Sequence, residues 1–133
     1  MAAKKEKFTV KIYGIVFEPK SRKILIGKNF KDKKFSFVEG NLIYKEELDK
    51  CLKKVTKEKT GYIIHNLGAV YAQNKIKNKK DILELYFLCE ATEGKEKPGK
   101  NVSELKWISP KLVEKELKTK LPTRLKGYII NLG

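Results

Sequence analysis

At 133 residues and 41% hydrophobic side chains, the chain has material for one domain around one sizeable core. No apolar run approaches the roughly eighteen residues that a membrane-spanning helix needs, and Met1 to Lys7 is charged where a signal peptide turns apolar, so a cytoplasmic protein is expected. The missing apolar run also leaves no membrane partner expected, and the 31 Lys and Arg against 16 Asp and Glu leave a formal charge of +15, which anticipates anionic partners.

Residues 1–7 read as a basic leader, and a single domain is expected over 8–133. Phe8 to Phe17 is a near-alternating run of β-branched and aromatic residues, and Glu18-Pro19-Lys20-Ser21 supplies turn residues before Lys23 to Gly27. The two runs predict a hairpin. After a basic loop at Lys28 to Lys34, Phe35-Ser36-Phe37-Val38 predicts a short strand that leads into a turn at Gly40. From Tyr44 to Lys59 the period changes: Leu48, Cys51, Leu52 and Val55 fall at i, i+3, i+4 and i+7, the stripe of an amphipathic helix, and Gly61 follows as its stop.

Tyr62 to Gln73 and Ile82 to Glu90 predict two further strands, joined by residues 74–80 as an exposed hairpin tip. Glu93 to Lys100, with Pro98-Gly99, predicts a solvated loop, and Leu105 to Ile108 a last strand. Pro110 to Leu117 predicts a helix with proline in its first turn, and Lys120 to Leu132 a further short helix. Cys51 and Cys89 each sit in an apolar pattern, which fits two reduced, buried thiols better than a disulfide or a zinc site, and the lone His65 adds no ligand cluster. Trp107, flanked by Leu105 and Ile108, is expected in the core rather than stacked on a base.

Gly40, Glu46, Glu58 and Gly61 match in register the pattern G-x5-E-x7-R-E-U-x-E-E-x-G-U, where U is a bulky apolar residue. Around them, Phe35 to Gly40 sits where an aromatic and then Pro-Gly-Gly is usual, and Glu104 to Ser109 is similar to a Glu-x-x-Trp-Val-Ser stretch. Leu121-Pro122 is similar to that pattern's end. On these residues the chain resembles the Nudix hydrolase superfamily over nearly its whole length. The resemblance implies an α+β Nudix fold, a mixed β-sheet packed between helices as an α/β/α sandwich. It also implies a metal-dependent hydrolase, in which glutamates of the box ligate divalent ions that clamp a pyrophosphate and activate water.

Here the Arg-Glu-U-x-Glu-Glu stretch reads Lys54-Val55-Thr56-Lys57-Glu58-Lys59, so one glutamate slot holds Val55 and another Lys59. Valine cannot ligate, and an ammonium meets a divalent ion with repulsion, on the order of 4 kcal/mol per pair of unit charges at about 4 Å. Lys54 keeps the charge of the pattern's arginine without its planar fork. Val38 and Glu39 replace the Pro and Gly at the entrance of the box. Glu46, Glu47 and Asp49 are expected to answer the dipole at the helix start rather than rebuild a metal site. The box is therefore expected to be degenerate, with no intact catalytic set, no metal and no cofactor; magnesium enters only if the chain is an active hydrolase.

The lysine excess points to phosphate contacts. A lysine-rich genome or a hot habitat also raises lysine, but thermophilic enrichment normally raises glutamate with it, and here the acids do not keep pace. Lys28, Lys31, Lys33, Lys34, Lys75, Lys77, Lys79, Lys80, Lys95, Lys97 and Lys100 fall in predicted loops that can combine into one nucleic-acid-binding face, although any single one of them is more often a solvated surface residue. Few arginines accompany them, which suits contact with the phosphate backbone more than base reading. The first expectation is a non-catalytic domain that binds RNA or a ribonucleoprotein, the ribosome included. The alternatives are a Mg-dependent hydrolase of nucleoside diphosphate derivatives such as ADP-ribose, using Glu58, and a non-catalytic nucleotide sensor. Oligomeric state is not legible.

Overall fold

The computed structural model describes residues 8–43 and 45–133; the basic leader and Tyr44 lie outside the described residues. Six strands form one mixed sheet: β1 (Phe8–Glu18), β2 (Lys23–Asn29), β3 (Val38–Leu42), β4 (Tyr62–Lys77), β5 (Lys80–Gly94) and β6 (Val102–Ile108). The order is β4-β5-β1-β2-β6, with β3 also paired to β1. β1 runs parallel to β5 along its whole length, while its other edge is shared: β3 takes Val10 to Gly14 and β2 takes Val16 to Glu18. The predicted β1–β2 hairpin is present, closed by Arg22 at φ 55.

Because side chains alternate along a strand, β1 supplies both faces of the sheet. Ile12 and Val16 pack with Leu25, Val38, Phe87 and Cys89 under helix α1 (Leu48–Thr60). Ile15 packs with Ile24, Ile26, Phe35 and Phe37 on the opposite face, beneath α2 (Val113–Glu116) and α3 (Thr123–Ile130). Two cores, one per face, make the expected α/β/α sandwich. α1 buries Cys51, Leu52, Thr56 and Thr60, and the two threonine hydroxyls donate to the carbonyls one turn back, Leu52 O and Thr56 O, so no polar atom of theirs is lost. Leu52 is fully enclosed between α1 and β1, and Leu52→Ala is expected to cost about 2–5 kcal/mol through the cavity it leaves. Urea denaturation checks this; a loss below about 1 kcal/mol would show that the layer closes over the gap.

Several boundaries differ from those expected. The strand predicted at Phe35 to Val38 begins only at Val38 and runs through Gly40, while Ser36 and Phe35 make isolated bridges to Gly27 and Leu117. Gly40 is thus a strand residue rather than a turn, and the close passage of α1 explains it: a Cβ there would lie 2.8 Å from Val55 Cγ2. α1 starts four residues later than the pattern suggested, because Lys45 adopts φ 66 and Glu46 N–H closes a turn onto Ile43 O. Glu46 therefore precedes the helix, and Glu47 is its N-cap. Gly61 ends α1 as expected, at φ 82.

β4 and β5 extend to Lys77 and from Lys80, so the hairpin tip is only Asn78 and Lys79, both at positive φ. Lys28, Lys75, Lys77 and Lys80 consequently lie in strands, not loops. The helix predicted at Pro110 to Leu117 is a 3-10 turn, Pro110–Leu112, followed by α2. Cys51 and Cys89 are free and buried, as expected. No helix among the described residues is long and apolar enough to cross a membrane.

Candidate functional site

The residues of the box occupy the end of β3, the loop after it, and α1. Glu46, fixed in the loop by its turn, reaches Lys54 on the second turn of α1, with Oε2 3.0 Å from Nζ. The Cys51 thiol and the Lys54 ammonium beside it hold the Glu46 carboxyl below the usual carboxylate range. Lys54 thus meets the Glu46 carboxylate through a single donor, where an arginine would offer a planar fork. The same surroundings act on Cys51: burial, and then Glu46, push its thiol up to about 11. The Cys89 thiol, buried in the sheet, is raised to about 12.

Val55 packs on the glycine of β3 and joins the apolar layer under α1. Glu58 is exposed on the helix surface. Lys59 turns inward: its Nζ donates to the main-chain oxygen of Glu39, the residue just before Gly40, at 2.6 Å. Burial lowers the Lys59 pKa against the opposing pull of Glu39. A carbonyl or carboxylate oxygen is the kind of donor that a hard cation seeks, and this one is already engaged by an ammonium. Among the described residues no three His, Cys, Asp or Glu side chains gather into a possible metal group. The side chains present do not fit the carboxylate cage that the pattern describes for magnesium.

Next to Lys59, β1, β3, the β4–β5 hairpin and the connection from α2 to α3 enclose a cavity of about 90 Å³. Four lysines, Lys11, Lys75, Lys77 and Lys118, and two glutamates, Glu39 and Glu84, line it together with Tyr13, Ser36 and Phe37. Glu84 is buried on its floor, accepting from Tyr13 Oη at 2.8 Å and Gln73 Nε2 at 2.8 Å, with Lys75 Nζ at 3.2 Å. Burial alone would raise its pKa, but the hydrogen bonds from Gln73, Tyr13 and Lys75 outweigh it and hold the carboxyl below its usual value. Tyr13, stacked on Tyr86 with ring centroids 4.4 Å apart, is in turn held far above its usual pKa by burial and by Glu84. The cavity is well below the roughly 300 Å³ at which small-molecule pockets begin, so it has room for a phosphate-sized group and not for a whole nucleotide.

On the other side of Lys118 an open depression is lined by Asn29, Phe30, Lys31, Asp32 and Asn101, and the Phe30 ring is 75% exposed there.

Of the lysines expected to bind phosphate, the fold brings Lys75 and Lys77 to the cavity and Lys31 to the depression beside it. Lys28 is drawn to Glu104 at 3.3 Å and lies over the Phe35 ring. Lys33 and Lys34 follow on the β2–β3 connection, Lys79 sits at the hairpin tip with Lys80 beside it at the start of β5, and Lys95, Lys97 and Lys100 lie on the β5–β6 loop that wraps the end of α1. Lys11, Lys118 and Glu84 were missed. Lys11 had a local signal, since on β1 it alternates onto the face of Tyr13; Lys118 and Glu84 gave none, because their neighbours come from distant elements. Trp107 is half-buried, in edge contact with Tyr62 and donating from Nε1 to Glu96 at 2.7 Å, a packing role with a satisfied indole.

The sequence profile of the NUDIX domain matches residues 7–129. No protein of curated function matches the sequence. Among solved structures, a NUDIX hydrolase from Nitrosomonas europaea is similar at TM-score 0.73 and 15% identity over 95% of this chain and 88% of that one. A MutT protein from Methanosarcina mazei is similar at TM-score 0.73 and 14% identity, covering 98% of this chain and 96% of the other. A UDP-X diphosphatase is similar at TM-score 0.75 and 13% identity, covering 98% of this chain and 63% of the other.

Proposed function

The chain belongs to the NUDIX domain family, and from that premise we propose that it binds a nucleoside diphosphate derivative, with one phosphate in the lysine-lined cavity and the nucleoside on the depression beyond Lys118. The carrying observation is the convergence of Lys11, Lys75, Lys77 and Lys118, from three separate parts of the chain, on a cavity of phosphate size. The lining sets four ammonium groups against the carboxylates of Glu39 and Glu84, with Asp32 beside Lys118, so positive charge remains in excess there. The exposed Phe30 ring, with Asn29 and Asn101 beside it, offers a base a face to stack on and amides to bond.

Hydrolysis is the second reading. It is supported by the names of the similar structures, a hydrolase and a diphosphatase among them, and by Glu46 and Glu58, which keep their box positions. The residue set argues for binding without the family's metal chemistry, since Val55 and Lys59 remove two of the carboxylates. RNA or a ribonucleoprotein is a polymeric form of the same ligand chemistry, supported by the +15 charge and by lysines outside the cavity such as Lys33, Lys34, Lys79 and Lys80.

Thermal shift with ADP-ribose, UDP-glucose and ADP, with and without Mg²⁺, tests the ligand class, because binding to the native state alone must raise the melting temperature. A rise of several degrees at millimolar nucleotide is expected, and Phe30→Ala is expected to halve it or more. If none of the three raises the melting temperature while a structured RNA binds with steep salt dependence, the polymer reading replaces this one. Release of products with Mg²⁺ or Mn²⁺, abolished by Glu58→Gln, would establish hydrolysis.

A further inference from the structure

Lys59 stands where the family pattern has a glutamate, yet its charge is not left to solvent. Its Nζ donates to Glu39 O at 2.6 Å, while Lys11 Nζ and Lys118 Nζ approach the two carboxylate oxygens of the same residue at 3.9 and 3.7 Å. Three elements, α1, β1 and the connection from α2 to α3, thus deliver three ammonium groups to one residue that carries a single negative charge. With Asp32 Oδ2 also 3.3 Å from Lys118 Nζ, three positive charges meet two negative ones, and the excess lies beside the phosphate-sized cavity, which Lys11 and Lys118 line and Lys59 adjoins across Glu39.

We propose that Lys59 is a built-in cation: with Lys11 and Lys118 it holds the diphosphate group that the family pattern would hold through magnesium, so that anion binding by this chain needs no divalent ion. The inference rests on the reading above only for the class of ligand.

An ammonium has three donors and no acceptor, so after the bond to Glu39 O two donors of Lys59 remain for phosphate oxygens. Lys11 and Lys118 stand off Glu39 at more than hydrogen-bond length, and Lys118 also donates to Asp32 Oδ2 at 3.3 Å, which leaves two of its three donors to turn to an incoming anion. Glu39, with Asp32 on Lys118, keeps the empty cluster from tearing itself apart by repulsion, and an arriving diphosphate adds to that task with more charge. Two neighbouring phosphates suit three ammoniums spread around one residue better than a single monoanion does. The hydrogen bond that Lys59 donates to the Glu39 main-chain oxygen holds it against the loop that opens the box, so the cation stays in place when no ligand is present.

Calorimetric titration of inorganic pyrophosphate into the whole protein, first in EDTA and then with Mg²⁺, provides the test. Binding in EDTA that magnesium does not tighten is expected. Lys59→Met and Lys118→Met should each weaken it by about 10-fold or more, and Lys59→Arg by less. Melting curves of each variant confirm that it is folded; should Lys59→Met fail to fold, Lys118→Met and Lys59→Arg carry the comparison. Pyrophosphate binding that requires magnesium, or that is unchanged in the folded methionine variants, overturns the inference. Nucleotide binding seen only with magnesium sinks it while the ligand class stands. Loss of pyrophosphate binding in the variants, with no nucleotide bound by the wild type, supports it and removes the ligand class instead.

Discussion

Gly99→Ala is expected to lower the melting temperature by roughly 10 °C, the cost of about 3 kcal/mol in a domain of this size. The β5–β6 loop lies directly on the last turn of α1: Lys97 N–H donates to Thr60 O at 2.8 Å and Gly99 N–H to Lys59 O at 3.0 Å. A Cβ at position 99 would run into the carbonyl of Glu58 and come within 3.1 Å of Lys59 Cα. Those are backbone atoms of a packed helix, so neither side can yield without breaking the two hydrogen bonds that tie the loop down, each worth about 1 kcal/mol. The displaced turn carries Lys59, so the same substitution is expected to weaken pyrophosphate binding. Differential scanning calorimetry decides: a fall of less than about 2 °C would mean that the loop rides freely over the helix, and the close approach would then have no energetic weight.

The second large effect is expected at Glu84, whose carboxylate is 2% exposed on the cavity floor. Glu84→Ala leaves Tyr13 Oη and Gln73 Nε2 without their acceptor and Lys75 without its counter-charge. Removing one partner of a buried pair costs about 3–5 kcal/mol, and the lower end applies here because Lys75 retains access to water. The interaction also sets a pH dependence. The folded carboxyl titrates below its ordinary value, so Glu84 stabilises the fold fully above the unfolded carboxylate pKa, about 4.3. That contribution is lost as pH falls from there through the folded value. Wild type is therefore expected to lose stability below about pH 4 more steeply than Glu84→Gln. Parallel loss in the two proteins from pH 7 to pH 2.5 would show that another carboxylate governs the acid limb.

Much of the architecture was legible because it is written in local patterns. Leu48, Cys51, Leu52 and Val55 place α1 by their spacing, and Gly61 ends it because only glycine adopts the left-handed conformation there without cost. Alternation along β1 and β5 likewise anticipates a sheet covered on both faces. Boundaries were less legible where partners extend an element beyond its own propensity. Residues 74–77 read as a polar tip, yet β5 pairs with them residue for residue, Asn74 with Leu83 and Lys77 with Lys80. Propensity gave way to a ladder supplied by the neighbouring strand.

The candidate site divides along the same line. The sequence by itself determined the box register, the replacement of two carboxylates by Val55 and Lys59, and the excess of positive charge. Only the tertiary structure decided that Lys59 turns inward onto Glu39 O, that Lys118 and Lys11 join it, and that Glu84 lies buried beneath them. The reason is physical: a residue's identity fixes which charge it carries. Its energy in place depends on water lost and on charges met, and both are supplied by elements tens of residues away along the chain.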